Sequence, residues 1–179
     1  MNIVKFENKF IQKSYLTISI LGKSYKLNIK YVTSNIIELS KKDDLCFELF
    51  LPKQYKNRDN IDIINQVIGK LYSEIAPKEL EHSLELVRYL LKFAPEDYKI
   101  ERLKAAFYKV KNKVLYINPD IIQYNTEVIN TTLIQAFCKM KHKLNSKAYK
   151  EFLMNSLEKY ENYKETINYN LKSRITSAS

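Results

Sequence analysis

The hydrophobic period of this chain changes along its length, and its first change sets what it can fold into. From Tyr15 to Pro52 apolar residues recur at every second position. The segment "YLTISILGKSYKLNIKYV" carries Tyr25, Leu27, Ile29 and Tyr31 in alternation, the pattern of a half-buried strand. "NIIELS" and "LCFELFLP" repeat it, with Lys41–Asp44 as a charged hairpin turn and Pro52 as the strand end. From Asp59 the spacing becomes helical. Asp59 or Asn60 is the expected N-cap, followed by the stripe Ile61, Ile64, Val67, Ile68 and Leu71. A second stripe runs through Leu80, Leu84, Val87, Leu90 and Leu91. Pro77 lies between the stripes and predicts a break or kink near Ala76.

Strand character returns in "PEDYKIERLKAAFYKVKNKVLYINPD", with a turn at Val110–Val114 and Asn118-Pro119-Asp120 closing the hairpin. A helix is expected over Thr126–Lys143, burying Val128, Ile129, Leu133 and Phe137. Ser146 is placed to cap the next helix, which turns Tyr149, Phe152, Leu153 and Leu157 inward. A last helix is expected from about Tyr160 to Leu171, and a frayed tail at 175–179. Strands, then a helix, a hairpin and further helices spell an α+β arrangement in one domain, residues 1–174.

Composition narrows the function classes. A 45% hydrophobic content over 179 residues supports a real core. No apolar run has the length of a membrane span, and "MNIVKFENKF" lacks the apolar stretch of a signal peptide. Cys46 and Cys138 make no disulfide framework, so a cytoplasmic protein with reduced thiols is expected, without a membrane partner. With Gly22 and Gly69 as the only glycines, no phosphate-cradling loop can be built. Glu79, Glu81 and Glu85 read as a solvated helix face, and the tyrosines of "YENYKETINYN" as packing.

Net charge is +10 and its placement is uneven. Lys99–Asn118 and Lys139–Lys150 each carry +5, which leaves the remainder neutral. Lysine supplies most of the basic residues, and only Arg58, Arg88, Arg102 and Arg174 can offer the bidentate fork that suits phosphate.

Order and residues together resemble the YgjP-like metal-dependent hydrolases, relatives of the SprT-like zinc proteases, over roughly Ser19–Lys172. The stretches that carry the likeness are "LGKSYKLNI", "LYSEIA", "RLKAAFYKV" with Arg102 and Phe107, and "LYINPDIIQYN". Tyr108, Lys109 and Val110 stand where the family has Gly-Ser-Cys. The family then has His-Glu-x-x-His on a helix and a third His before Ser-x-x-Phe. Matched through Cys138, Met140, Ser146 and Tyr149, those positions hold Gln135, Ala136, Lys139 and Asn145. The resemblance implies a zincin-like core whose zinc ligands and general base are all replaced, hence no cofactor, although the family binds zinc.

The chemistry of these residues agrees with that implication. Histidines four apart on a helix can clamp one zinc, and a neighbouring Glu activates its water. Gln135 is a poor ligand, a lysine ammonium has no lone pair, and Ala136 moves no proton. Cys138 and His142 are also four apart and, with His82, form an alternative metal set. In the implied fold the hairpin bearing Lys104 and Lys109 lies beside the helix bearing Lys139, Lys141 and Lys143. These residues and Arg102 would then form one anion-attracting cleft. The expectation is a silent relative that binds nucleic acid or another polyanion there. The alternatives are a live hydrolase with a rearranged metal site, and a structural module with a protein partner.

Overall fold

The computed structural model describes the backbone of residues 11–12, 15–56 and 59–176, and side chains from 16 to 167 except 57 and 58. The fold is α+β. Five strands form the first sheet: β1 (Ile11–Gln12), β2 (Tyr15–Ile20), β3 (Lys23–Val32), β4 (Glu38–Asp43) and β5 (Cys46–Pro52). Their order is β1-β2-β3-β5-β4, with β3 and β5 parallel and the other pairs antiparallel. Register places Leu27 beside Phe47, Ile29 beside Leu49 and Tyr31 beside Leu51, so one face is a continuous apolar surface. On the opposite face Lys30 meets Glu48 at 2.9 Å, and Asn28 Nδ2 donates to Cys46 Sγ at 3.1 Å. Lys30 and Lys42 flank Glu48, and the hydrogen bond from Lys30 holds its carboxyl below the ordinary range. The turn after β4 falls at Asp44–Leu45 rather than starting at Lys41. Asp43 Oδ1 accepts from Leu45 N at 2.8 Å, an Asx turn that lets β4 extend to Asp43 through an irregularity after Lys41.

The tip of the β2–β3 hairpin is Leu21-Gly22, with φ of 49° and 77°. Gly22 suits the left-handed conformation such a turn needs, and a Cβ there would lie 2.8 Å from Asn125 Cβ. The tip docks far along the chain: Leu21 N donates to Ile122 O at 2.7 Å.

Of the two outcomes open at Pro77, a kink in one long helix or a break, the chain forms one helix, α1 (Ile61–Leu91), with Pro77 inside it. Its buried stripe runs without interruption through Ile64, Ile68, Tyr72, Ala76, Leu80 and Leu84. Pro77 sits on the exposed side, so its missing N–H costs a solvent-facing bond while both halves remain packed. Ile61, expected in the stripe, is exposed. Asp59 Oδ1 accepts from Ile61 N, which starts the helix, and Lys92 ends it in the left-handed region.

The second sheet holds β6 (Asp97–Ile100), β7 (Tyr108–Lys111) and β8 (Val114–Ile117) in the order β6-β8-β7. The β7–β8 turn is Asn112-Lys113, both at positive φ. A 3-10 helix over Pro119–Gln123 follows, then α2 (Thr126–Lys141), capped by Asn125 Oδ1 accepting from Val128 N at 2.9 Å. Ile129, Leu133 and Phe137 of α2 are buried as expected; Val128 is exposed instead, and the helix stops at Lys141, not Lys143.

Ser146 Oγ accepts from Tyr149 N at 3.1 Å and opens α3 (Lys147–Thr176). The expected restart at Tyr160 does not occur. No glycine or proline interrupts this segment, and Tyr160 is itself buried, taking a hydrogen bond from Asn130 Nδ2 of α2 at 3.1 Å. Lys164 adds a second tie, 2.7 Å from Glu127 and 2.9 Å from Glu161, and its ammonium is strongly stabilised by those carboxylates. α3 extends to Thr176, and residues 177–179 of the expected tail lie outside the described ones. One hydrophobic cluster joins the first sheet, α1, β8, α2 and the start of α3. No helix of the described residues is long and apolar enough to cross a membrane.

Candidate functional site

Helix α2 carries three of the four positions that the resemblance matched to zinc ligands and general base. Gln135 is exposed and Lys139 half-buried one turn on; Ala136 is fully buried between them. Asn145 lies beyond the helix in the turn to α3, exposed and at φ 65°. Strand β7 packs against α2, as expected of the hairpin. Lys139 Nζ stands 5.6 Å from the centroid of the Tyr108 ring, so its cation lies over an aromatic face. Burial, with Tyr149 and Cys138 close by, pushes the Tyr108 phenol up to about 12.

The alternative metal set is divided among different surroundings. Cys138 is buried, its Sγ 3.8 Å from Ser156 Oγ, and burial pushes its thiol up. His142 closes α2 and lies with its ring 5.1 Å from Phe152. His82 is exposed on α1, its Nδ1 3.1 Å from the carbonyl of Lys78. Both cysteines are free and buried. Among the described residues no three His, Cys, Asp or Glu side chains gather in a way that could hold a metal ion.

The six residues expected in one basic cleft are split between two places. Arg102 and Lys104 line a cavity of about 540 Å³ between α1, the segment 102–107 and the 3-10 helix. Lys109, Lys139, Lys141 and Lys143 are not part of its wall. The pleat of β7 explains the separation: Tyr108 and Val110 turn inward, which turns Lys109 outward on the other face. Lys141 lies at the α2–α3 elbow, its Nζ 4.6 Å from the Phe152 centroid and 5.4 Å from that of Phe93. Lys143, Lys147 and Lys150 continue this elbow, all exposed. No acid occurs between Glu127 and Glu151, so the surface has no internal counter-charge along the chain.

The cavity contains a feature that periodicity does not reveal. Gly69 lies in the interior of α1, where glycine costs roughly 1 kcal/mol against alanine. A Cβ at that position would fall 1.1 Å from Arg102 Nη2, so the missing side chain makes a notch in the helix that receives the guanidinium. Arg102 Nη2 then reaches the Asn65 carbonyl at 3.5 Å and Asp120 Oδ1 at 3.6 Å. Asn118 fixes the segment overhead. Its Nδ2 donates to Leu103 O at 3.1 Å and Ala106 O at 3.2 Å, and its backbone N donates to Phe107 O at 2.8 Å. Its Oδ1 accepts from Asp120 N at 3.1 Å, which sets the first turn of the 3-10 helix. Below, the Tyr72 hydroxyl donates to Ser19 O at 2.8 Å; burial above all, and then Asp120, keep that phenol far above the ordinary tyrosine range. Of these residues Arg102 was legible as a site residue. Gly69, Tyr72, Asn118 and Asp120 were not, since only the fold gathers them; a lone glycine inside an amphipathic helix was the available signal.

No protein-family model matches this chain, and neither a curated protein nor a solved structure matches it.

Proposed function

We propose that this chain is a catalytically silent, YgjP-like member of the zinc-hydrolase architecture that binds a polyanion, nucleic acid foremost, on the surface made by α2, the α2–α3 elbow and β7. One observation carries the reading: the acid-free run from Val128 to Lys150 places Lys139, Lys141, Lys143, Lys147 and Lys150 on α2 and the elbow. A phosphate backbone responds to such a display because each lysine that neutralises a phosphate releases a condensed counterion. Tyr108, Phe93 and Phe152 support the reading by holding Lys139 and Lys141 over their rings, which positions the ammonium groups beside aromatic surface. At a position matched to a zinc ligand, the half-buried Lys139 ammonium offers no lone pair to a metal, and at the position matched to the general base, the buried Ala136 methyl offers no base to water.

Binding of single- and double-stranded DNA and of RNA, measured across a salt series, tests this. Lys139→Glu and Lys141→Glu should each weaken affinity uniformly over sequences and flatten the salt slope by about one. Lys109→Glu, on the outward face of β7, tests whether the surface extends onto the hairpin. Unchanged affinity in both α2 variants, or no binding by the unaltered protein at low salt, removes the proposal. Stoichiometric zinc retained through dialysis would favour a rearranged metal site instead.

A further inference from the structure

The cavity at Gly69 is separate from the lysine elbow, and the argument for it stands without the polyanion reading. Its wall combines opposite charges: Arg102 and Lys104 against Asp62 and Asp120. The two central groups are poorly satisfied by the protein. Arg102 is about half exposed at its side chain, and its contacts of 3.5 Å and 3.6 Å are long. A guanidinium offers a fork of N–H donors, most of which therefore remain open to the cavity. Asp120 Oδ1 is buried and has no hydrogen-bond partner among the described residues; the 3.6 Å approach of Arg102 is an ion-pair distance, too long for a bond. A buried acceptor without a donor is costly to keep unless something supplies one.

The arrangement is also fixed in advance. Gly69 seats the guanidinium, and Asn118 holds the overhead segment at two carbonyls. Preorganised polar groups around a cavity of this size favour a small ligand over an extended surface. Its volume of about 540 Å³ exceeds any single amino acid, with Ile68 and Phe107 available to an apolar side chain.

We infer that this cavity binds a free α-amino acid, its carboxylate taken by the Arg102 fork and its ammonium by Asp120. A ligand with both groups meets the open donors of Arg102 and the accessible part of the Asp120 carboxylate, whose side chain is 35% exposed, whereas a simple anion would bring its charge against Asp120.

Titration calorimetry with a panel of free L-amino acids tests the assignment. Each is compared with its des-amino acid, which keeps only the carboxylate, and its amide, which keeps only the ammonium. At least one amino acid should saturate the protein at millimolar concentration or below, and its two truncated forms should bind at least about tenfold more weakly. Arg102→Lys removes the fork but not the charge and should weaken binding about tenfold at an unchanged melting temperature. Asp120→Asn should erase the preference for the amino acid over its des-amino form. Should Arg102→Lys not fold, Gly69→Ala decides, since it unseats the guanidinium without altering its chemistry and should abolish binding. The inference is overturned if no amino acid saturates the protein. It is equally overturned if the des-amino form binds as tightly, or if binding survives in Gly69→Ala.

Discussion

The cavity at Arg102 and the elbow at Lys139–Lys150 both present cations, the first beside carboxylates and the second without them, and they are built in opposite ways. In the cavity the cation occupies a notch cut into a helix, beneath a segment tied at two carbonyls by a buried asparagine. At the elbow the cations are long side chains over aromatic faces or in solvent, with Lys147 reaching only its neighbour Glu151 at 3.7 Å. A single guanidinium with fixed surroundings can discriminate by shape. A run of ammonium groups along a surface responds to charge density and to salt. The difference teaches that the +10 net charge says nothing of the cavity, where two cations face two carboxylates, and that counting basic residues does not tell the two places apart.

The comparison can be broken most forcefully through Asn118. Asn118→Ala leaves two part-buried carbonyls of the overhead segment without their donor, and should cost about 1–2 kcal/mol in chemical denaturation. Polyanion binding at the elbow should be retained by the folded fraction, and a parallel loss would mean the two surfaces are coupled. Gly69→Ala has a smaller and less obvious outcome. The clash is with the far end of a flexible side chain, which can swing outward, while α1 gains roughly 1 kcal/mol of helix propensity. Unfolding should show stability unchanged or slightly raised; a loss of several kcal/mol would mean that the guanidinium contributes to folding as well as to the site. Lys141→Met removes the ammonium from Phe93 and Phe152 but keeps the aliphatic stem, and should cost about 0.5–1 kcal/mol, read by the same method.

The phenols give a test by pH. Tyr72, Tyr108 and Tyr149 all have raised values, so each prefers its neutral form in the fold. Their contribution is complete below the ordinary tyrosine value near 10 and is lost as pH rises toward the folded values, about 12 for Tyr108. Stability should therefore decline from about pH 10 upward, and tyrosinate absorbance should lag behind that of a denatured sample. Tyr108→Phe should shift the decline upward, and identical titration of folded and denatured protein would show these rings to be solvated.

How far the sequence reveals this molecule depends on the range of the interactions concerned. The alternation at Tyr25, Leu27, Ile29 and Tyr31 was readable because a half-buried strand has a two-residue period. The caps at Asp59 and Ser146 were readable because they belong to local hydrogen bonding, in which only the backbone of the first turn is involved. Whether Pro77 would break the helix or sit within it was not readable, because propensity is local while the stripe from Ile64 to Leu91 is held by tertiary packing. The basic residues were legible one by one. Their division between cavity and elbow was not, because it depends on which face of β7 turns toward α2 and on Asp120 and Tyr72 meeting beneath Arg102.

The docking of Leu21-Gly22 onto Ile122 and Asn125 has a kinetic consequence. These partners are about one hundred residues apart, so the bond closes a loop that includes α1 and the whole second sheet. The entropy of that closure is recovered only when both ends already have their shape: the hairpin its left-handed tip, and the 3-10 helix its Asn118 brace. Joining the tip to the 3-10 helix should thus be a late event in refolding. A bulkier residue at Gly22 should mainly hasten unfolding and leave the folding rate nearly unchanged.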